Sequence, residues 1–245
     1  MDEAADAILP VEVLDRAEIP GGRELHLMRH GADFWIQVGA DELMGNLHFH
    51  SEQALARMTC ERLSSTEGDV LIGGLGMGYT LAAALDVWSP EARIVVAELV
   101  PDVVAWAQGP LSHLFAGALD DQRVTLRIAD VYDEISKTRE SYDAILLDVD
   151  NGPDGLVTLG NERLYCAWGL REAYAALRLG GVLAVWSAYP DAEFVKRLEA
   201  VGFSVDEITL PAYPDSRDEW HTLVFAAKSS NHQAPSSHNR ASTAA

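Results

Sequence analysis

Short apolar runs alternate with segments of helical periodicity over much of the chain. Five such runs predict β-strands, at residues 70–72, 93–98, 124–128, 144–148 and 182–186. A segment with helical spacing follows each run. Strands that alternate with helices in this way predict an α/β fold, with a mostly parallel sheet that helices cover on both faces.

The C-terminal part departs from this alternation. A predicted helix at residues 192–201 ends at Gly202, and two predicted strands follow, at 203–210 and 221–227, with no helix between them. Parallel neighbours need a long crossover connection, so this pair is expected to be antiparallel and to close the sheet.

The N-terminal part has a different pattern. Short strands broken by Gly- and Pro-containing turns over residues 10–39 predict a small antiparallel β unit, and residues 51–63 predict a helix with Ser51 as its N-cap. We therefore divide the chain into three predicted parts. These are a small β unit (1–48), a Rossmann-like catalytic domain (49–228) and a tail (229–245) whose composition is typical of disorder.

The composition restricts the class of protein. The 245 residues include 18 Lys and Arg against 38 Asp and Glu, for a formal net charge of -20. This charge disfavours nucleic acid as a partner, because contact with phosphates needs cationic side chains. Hydrophobic residues make up 48% and charged residues 23%, which is typical of a folded globular chain rather than a disordered acidic one.

The cysteines and the hydropathy predict the compartment. Cys60 and Cys166 lie in apolar helical patterns with no further Cys or His at metal-ligand spacing, so we expect buried free thiols and no metal site. No apolar run approaches the roughly eighteen residues of a membrane span, and the N-terminus is acidic where a signal peptide is basic. We therefore expect a cytoplasmic protein with no membrane partner.

The strongest chemical signal is a buried strand that leads into Gly74-x-Gly76-x-Gly78 and then into a helix. Glycines in such a turn let a nucleotide-like ligand approach the backbone at a helix N-terminus. Glu98 ends the next strand, where a carboxylate can accept hydrogen bonds from both ribose hydroxyls. The combination favours an adenosine-type ligand, although plain turn glycines and a solvated strand end remain alternatives.

The glycine spacing also bears on the kind of ligand. Tyr79 stands where the pyrophosphate-binding pattern G-x-G-x-x-G has its last glycine, and no Arg or Lys lies nearby to hold a phosphate. An adenosyl sulfonium fits this turn better than a dinucleotide. Asp130, after the strand at 124–128, either accepts the adenine amino group or caps the following helix.

A second candidate site lies where the strand at 144–148 changes from apolar to anionic. Asp148 and Asp150 stand at its carboxyl end, where open α/β sheets place their ligands. Carboxylates there can hold a protonated amine and accept its proton as the amine becomes a nucleophile. We predict both as catalytic residues, against the alternative of a helix cap and solvated charges.

Over residues 34–188 these motifs, in order and spacing, resemble the spermidine synthase (polyamine aminopropyltransferase) family of class I S-adenosylmethionine-dependent transferases. The resemblance rests on HSEQAL, VLIGGLGMG, VVAELVPDVV, DQRVTLRIAD and YDAILLDVDNGP. It implies a small N-terminal β domain, a parallel core and an antiparallel terminal strand. Members of the family often pair, so it also makes a homodimer a candidate assembly.

The resemblance implies roles for the donor side of the site. The turn that contains Gly74, Gly76, Met77 and Gly78 lines the nucleoside, Glu98 holds the ribose, and Asp130 approaches the adenine. Asp148 becomes the catalytic carboxylate beneath the attacking amine. Met77 is a departure, because the family has an Asp there that helps to hold the donor ammonium.

The resemblance also implies substrate-binding residues. His50 and Glu52 lie where the family often has Tyr-His-Glu at the amine entrance, and Tyr165 lies where it commonly has an aromatic beside the amine channel. From the residues alone, His50 could equally end a strand, Glu52 could be a first-turn helix residue and Tyr165 a core aromatic.

The expected activity is aminopropyl transfer from decarboxylated S-adenosylmethionine, as co-substrate, to a small cationic amine such as putrescine, with release of methylthioadenosine. One alternative is transfer of a methyl or aminocarboxypropyl group from S-adenosylmethionine to a small amine-containing molecule, which Met77 suits. Another is a non-catalytic protein that binds an adenosyl nucleoside.

Overall fold

The computed structural model describes residues 10–149, 151–153, 159–213, 216 and 219–229. Four N-terminal strands are present: β1 (Glu12–Ile19), β2 (Arg23–His30), β3 (Asp33–Val38) and β4 (Asp41–Gly45). They form an antiparallel sheet in sequential order. The β unit expected from the turn-broken pattern therefore has one strand, β4, that the sequence did not predict.

A second sheet contains seven strands: β5 (Asp69–Gly73), β6 (Arg93–Glu98), β7 (Val124–Ile128), β8 (Tyr142–Leu147), β9 (Leu177–Ser187), β10 (Ser204–Pro211) and β11 (Trp220–Ala227). Their order is β10-β11-β9-β8-β5-β6-β7. The strands from β9 to β7 pair in parallel, whereas β11 is antiparallel to both of its neighbours. The mostly parallel sheet with an antiparallel terminal pair is confirmed.

The helices are α1 (His50–Glu61), α2 (Tyr79–Val87), α3 (Pro101–Gln108), α4 (Ser112–Phe115), α5 (Val131–Ser136), α6 (Glu162–Tyr165), α7 (Ala167–Ala176) and α8 (Ala192–Val201). Short 3-10 turns occur at Ala118–Asp120 and Leu159–Asn161. Helix α8 shows why these boundaries are readable from sequence. The Asp191 carboxylate accepts two backbone N–H bonds at its start, and Gly202 ends it in the left-handed conformation.

Apolar packing covers both faces of the large sheet. One buried cluster joins Leu27 and Ile36 of the N-terminal sheet to Leu81 of α2 and Val96 of β6. A second cluster covers the opposite face and contains Phe194 of α8. Because the N-terminal sheet shares a core with the glycine-turn side of the large sheet, its side chains can reach the same cleft.

Two local predictions need correction. Ser51 does not cap α1: the N-cap is Phe49, and Ser51 is a fully buried helical residue. Both cysteines are free, but only Cys60 is buried and Cys166 is half-buried. Ser51 fails as a cap because its hydroxyl has tertiary partners from distant strands, which local sequence does not reveal.

The predictions about the tail, Asp150, the domain boundaries, the homodimer and the location stay predictions. Residues 230–245 and Asp150 lie outside the described residues, and the domain boundaries, the homodimer and the cytoplasmic location are untested. Within the described ranges, no helix is long and apolar enough to cross a membrane. The same ranges contain no group of three or more His, Cys, Asp or Glu arranged to hold a metal ion.

Candidate active site

The glycine turn after β5 is required by close packing. Gly74 has a φ of +88°, and a Cβ there would lie 2.3 Å from the backbone oxygen of Asp148. Gly78 has a φ of +81°, and a Cβ there would lie 2.4 Å from the ring of Phe115. Since a side chain at Gly74 would collide with the backbone after β8, the turn brings β5 and β8 together at their carboxyl ends.

Glu98 is a buried carboxylate at the end of β6, with 7% of its surface exposed. Its two oxygens accept hydrogen bonds from the backbone N–H groups of Leu75, at 2.9 Å, and Val100, at 2.8 Å. Burial raises its pKa, and these backbone donors oppose the shift. The bonds fix the carboxylate beside the glycine turn, and each oxygen retains further acceptor capacity.

Asp130 has one of the two roles between which the sequence left a choice, the helix cap, and its role toward an adenine stays a prediction. Its Oδ1 accepts a bond of 2.8 Å from the backbone N–H of Tyr132, so it caps α5. Its Oδ2 pairs with the guanidinium of Arg163, which also lies over the Tyr132 ring. Asp130 nevertheless lines the same cavity as Glu98.

Four of the predicted donor residues line a cavity of about 780 Å³, part of which is open to solvent, whereas Met77 and Gly78 line a second cavity. The walls of the first cavity are mostly apolar and include Leu99 and Val103, with Glu98, Asp130 and Asp148 as the ionisable groups. Such a cavity suits a flat apolar base with a few polar edges. The structure thus brings Gly74, Gly76, Glu98, Asp130 and Asp148 to one place, as predicted.

A second cavity, of about 450 Å³, adjoins the first. The two share four lining residues: Leu43, Met44, Gly76 and Asp148. The second is also lined by Glu52, Met77, Tyr79 and Trp186. Asp148 therefore stands on the wall common to both cavities.

Two carboxylates interact across the smaller cavity. Burial raises the pKa of Asp148 to about 6, and a bond of 2.6 Å from the Thr80 hydroxyl opposes this shift. Burial and the charge of Asp148 raise the pKa of Glu52 to about 7. Both pKa values are thus raised toward the neutral range, in which general acid–base chemistry operates.

Tyr79 and Met77 give the smaller cavity a partly apolar wall. Tyr79 stacks on Phe49, with ring centroids 4.3 Å apart, and burial together with the charge of Glu52 raises its pKa to about 12. Met77 is 3% exposed and belongs to the main core cluster. The position where the resembling family has an acidic residue is therefore occupied by a buried thioether.

The remaining predicted substrate residues lie elsewhere. His50 is exposed at the start of α1 and is not among the residues that line either cavity. Tyr165 is buried against Phe194 and donates a long bond of 3.4 Å to the backbone oxygen of Val149. In this structure Tyr165 packs in the core, the alternative that the residues alone left open.

Sequence reasoning missed three residues of the cleft. Thr80 bonds Asp148, Trp186 lines the smaller cavity, and Met44 of β4 lines both cavities. Thr80 had a readable signal, because a hydroxyl in the first helical turn after a glycine-rich turn points toward the strand ends. Met44 and Trp186 had none, since they depend on how the N-terminal sheet and β9 pack.

The strand order, with a mostly parallel sheet and an antiparallel terminal pair, defines a Rossmann-like fold. No model of a known protein family matches the chain. The polyamine aminopropyltransferase of Sulfolobus acidocaldarius is 26% identical to it over 186 residues, or 76% of this chain and 60% of that relative. Polyamine aminopropyltransferase 2 of Pseudomonas aeruginosa is 33% identical over 121 residues, or 48% of this chain and 32% of that relative.

Solved structures show the same fold. Spermidine synthase from Thermotoga maritima superposes with a TM-score of 0.71 at 19% identity, over 88% of this chain and 72% of that one. A spermidine synthase in complex with the transition-state analogue AdoDATO gives a TM-score of 0.70 at the same identity and coverage. The chain is therefore similar in sequence to polyamine aminopropyltransferases and similar in fold to spermidine synthases, the family that its motifs resemble.

Proposed function

We propose that the chain transfers an aminopropyl group from decarboxylated S-adenosylmethionine to a small amine such as putrescine. The observation that carries the proposal is the position of Asp148 on the wall shared by the two cavities. The larger cavity is assigned to the adenosyl part of the donor and the smaller one to the amine. The curated relatives, which are named polyamine aminopropyltransferases, support aminopropyl transfer as the activity.

The lining residues fit the parts of the donor. Apolar side chains such as Leu99, Val100 and Val103 suit the faces of an adenine. Backbone N–H groups hold the Glu98 carboxylate in place, and its oxygens can accept further hydrogen bonds. This capacity suits the two hydroxyls of a ribose. Gly76 lies on both cavities, so the sulfonium end of the donor is assigned to the region between them.

The reaction needs close approach and a deprotonated amine. The nitrogen lone pair forms a bond to the carbon beside the sulfonium, the carbon–sulfur bond breaks, and its electron pair stays on sulfur to give neutral methylthioadenosine. The amine loses one proton, for which Asp148 and Glu52 are the acceptors. Holding both reactants beside one carboxylate supplies the proximity on which such a displacement depends.

The charge of the cleft supports a cationic substrate. Asp148 and Glu52 raise the free energy of the empty cleft when both are ionised, because burial and mutual repulsion disfavour their charges. An ammonium between them removes that cost and lowers both pKa values. The net charge of -20 adds long-range attraction for cations.

Methyl transfer is the second candidate, and Met77 favours it. In aminopropyl transfer the donor carries a terminal ammonium, which an acidic residue at this position helps to hold in the resembling family. Met77 offers no such partner. S-adenosylmethionine also carries an ammonium, but on the same carbon it carries a carboxylate, which an acidic residue at this position would repel. The neutral thioether of Met77 therefore suits this donor, and the product nucleoside is then adenosylhomocysteine.

One experiment separates these activities. The protein is incubated with decarboxylated S-adenosylmethionine and putrescine, and separately with S-adenosylmethionine and a mixture of small amines, and the nucleoside products are identified by mass spectrometry. Methylthioadenosine in the first reaction supports the proposal, and adenosylhomocysteine in the second supports methyl transfer. If neither product forms in either reaction, both activities are contradicted, and the result favours a non-catalytic nucleoside-binding protein.

A pair of variants connects the activity to the cleft. Asp148→Asn is expected to lower turnover by at least about a hundredfold, because general base contributions are of this size, while nucleoside binding is retained. Asp86→Asn, which changes an exposed carboxylate on α2, is the matched control. Turnover that survives in Asp148→Asn contradicts the role of Asp148.

A further inference from the structure

A single hydroxyl behind the smaller cavity contacts three side chains. Oγ of Ser51 lies 2.7 Å from Oε2 of Glu52, 2.8 Å from Nδ1 of His221 and 2.9 Å from Nε1 of Trp186. Ser51 is fully buried, and His221 is half-buried. Strands β9 and β11 bring Trp186 and His221 to α1, so the antiparallel end of the sheet builds this contact.

The geometry fixes the His221 ring. Its plane makes an edge-on contact with the Trp186 indole, at a centroid distance of 4.6 Å and an angle of 64°. The indole N–H of Trp186 can only donate, and it donates a hydrogen bond to Oγ of Ser51. The Ser51 hydroxyl thus has one hydrogen left to share between Glu52 and His221.

Counting donors couples the two remaining partners. When Glu52 is ionised it only accepts, so the Ser51 hydrogen points to Glu52 and the Nδ1 of His221 must carry a hydrogen to bond the hydroxyl oxygen. When Glu52 is protonated it donates to Ser51, and the Ser51 hydrogen turns to an unprotonated Nδ1. The proton on Glu52 therefore selects the tautomer of His221.

We propose that Ser51 and His221 are positioning residues that hold Glu52 in the amine cavity and form a relay that carries its proton away from that cavity. The catalytic use of the relay rests on the proposed function. The hydrogen-bond coupling does not, because it follows from the three contacts of Ser51 alone.

The proton transfer balances along this chain of groups. An ammonium in the cavity gives one proton to the Glu52 carboxylate and becomes a neutral amine. The ring, which is the Nδ1–H tautomer while Glu52 is ionised, loses its Nδ1 proton and takes up one at Nε2 by exchange with water once Glu52 is protonated. Glu52 then passes a proton to Oγ of Ser51 as the Ser51 hydrogen moves to the vacated Nδ1 of His221, and the imidazolium that forms releases its Nε2 proton to water. Glu52 is again ionised, and the ring is left as the Nδ1–H tautomer.

Burial and the charged groups near Glu52 and His221 shift the pKa of each of these two residues. Asp148 repels the Glu52 charge and, with burial, raises the Glu52 pKa to about 7, while Tyr79 shares the same cavity wall. Burial lowers the pKa of His221, His48 lowers it further, and Glu219 opposes both effects. His221 is therefore neutral over the pH range in which Glu52 titrates, and the imidazolium of the relay is a short-lived species that loses its Nε2 proton to water.

An activity-independent test reads the tautomer of His221 directly. Nitrogen NMR spectra of the full chain with labelled histidine are recorded on both sides of the Glu52 pKa of about 7, and His221→Asn identifies the signal. We expect the Nδ1–H tautomer to gain population as pH rises in the wild type, and to show no such change in Glu52→Gln or Ser51→Ala. An unchanged tautomer, or a change that persists in Ser51→Ala, overturns the coupling.

A kinetic test separates positioning from proton transfer. Asn can place a polar atom near the Nδ1 position but cannot take up a proton, so His221→Asn is expected to keep KM for the amine within about twofold and to lower kcat by about tenfold. His221→Phe is expected to raise KM as well. His26→Asn, on the N-terminal sheet, is the control.

The outcomes distinguish the two proposals. Unchanged kcat in His221→Asn overturns the relay while the proposed function stands. A wild-type protein without turnover contradicts the proposed function, and the NMR measurement then decides the coupling by itself.

Discussion

The Thr80 hydroxyl donates a hydrogen bond of 2.6 Å to Oδ2 of Asp148. Thr80 is in the first turn of α2, directly after the glycine turn, and Asp148 directly follows β8. The bond therefore links the start of α2, which follows β5, to the carboxyl end of the neighbouring strand β8. It also orients the Asp148 carboxylate on the wall shared by both cavities. It also favours the ionised form of Asp148, against the effect of burial.

Removing this bond is expected to shift the pH dependence of turnover. In Thr80→Val the ionised form of Asp148 loses its donor, so its pKa rises above the wild-type value of about 6. Hydrogen bonds to charged groups contribute about 1.5–3 kcal/mol, which corresponds to a rise of about one to two pH units. The acidic limb of the pH–rate profile should move to higher pH by about the same one to two units. Part of the activity that is lost near neutral pH should therefore return at high pH.

Thr80→Ser is the matched control, because it keeps the hydroxyl and removes only a methyl group. Its profile should follow that of the wild type. An acidic limb that stays in place in Thr80→Val contradicts the assignment of that limb to Asp148.

The glycine turn allows a test with a matched backbone. Gly74 and Gly117 have nearly the same φ, +88° and +87°, but a Cβ at Gly117 meets nothing within 4 Å, whereas one at Gly74 meets the Asp148 backbone oxygen at 2.3 Å. Both Ala variants have the cost of a left-handed residue, about 1 kcal/mol. Only Gly74→Ala must also push β5 and β8 apart.

We therefore expect Gly117→Ala to bind methylthioadenosine like the wild type and Gly74→Ala to lose at least about tenfold in affinity, measured by calorimetry. Denaturant unfolding of both variants gives the accompanying loss of stability, which should be larger for Gly74→Ala. Equal affinities in the two variants contradict the role of the turn in shaping the cavity.

The carboxylate pair predicts an unusual dependence of stability on pH. The pKa of Glu52 is about 7 in the folded chain, against 4.5 for an ordinary Glu. Between these values the native chain holds a proton that the unfolded chain has released, so the free energy of unfolding falls as pH rises. The loss should be complete above the folded pKa and absent below the unfolded one.

Glu52→Gln removes this titration. The variant is expected to be more stable than the wild type at about pH 8, by an amount on the order of 2–3 kcal/mol, and to differ little near pH 4. Glu207→Gln, at an exposed position of β10, is the control. Denaturant melts at the two pH values measure the difference, and a gap that does not change with pH contradicts a buried, proton-holding Glu52.

The sequence predicted the fold well because the responsible signals are local. Helix α8 starts at an Asp that accepts two backbone bonds and ends at a left-handed Gly202, and both signals lie within a few residues of the boundary. The strand–glycine–helix unit that contains Gly74 is equally local. Glu98 and Asp148 could be placed at the cleft because parallel strands present their carboxyl ends at one edge.

Local sequence did not determine the positions of Ser51 and Tyr165, and the physical cause is long-range packing. Ser51 has the residue type of a helix cap, but its partners are Trp186 and His221, from strands more than a hundred positions away. Tyr165 resembles a substrate-contacting aromatic in sequence, yet it packs against Phe194. No local pattern distinguishes such partners from solvent, so these roles needed the structure.

Met77 provides the sharpest test of the donor. Met77 lines the smaller cavity at the position where an acidic residue helps to hold the donor ammonium in the resembling family. If the donor is decarboxylated S-adenosylmethionine, Met77→Asp gives its ammonium a charged partner and should tighten its binding by about tenfold or more. S-adenosylmethionine also carries an ammonium, but its carboxylate would face a third buried acid, so its affinity should not increase.

Met77→Leu keeps the position apolar and should bind both donors like the wild type. Because Met77 is 3% exposed, Met77→Asp is also expected to lower stability, and its folding is checked by circular dichroism before the calorimetric titrations. If neither donor gains affinity in a folded Met77→Asp variant, the donor tail does not extend toward Met77. The smaller cavity must then bind the acceptor alone, and the preference for an aminopropyl donor loses its structural basis.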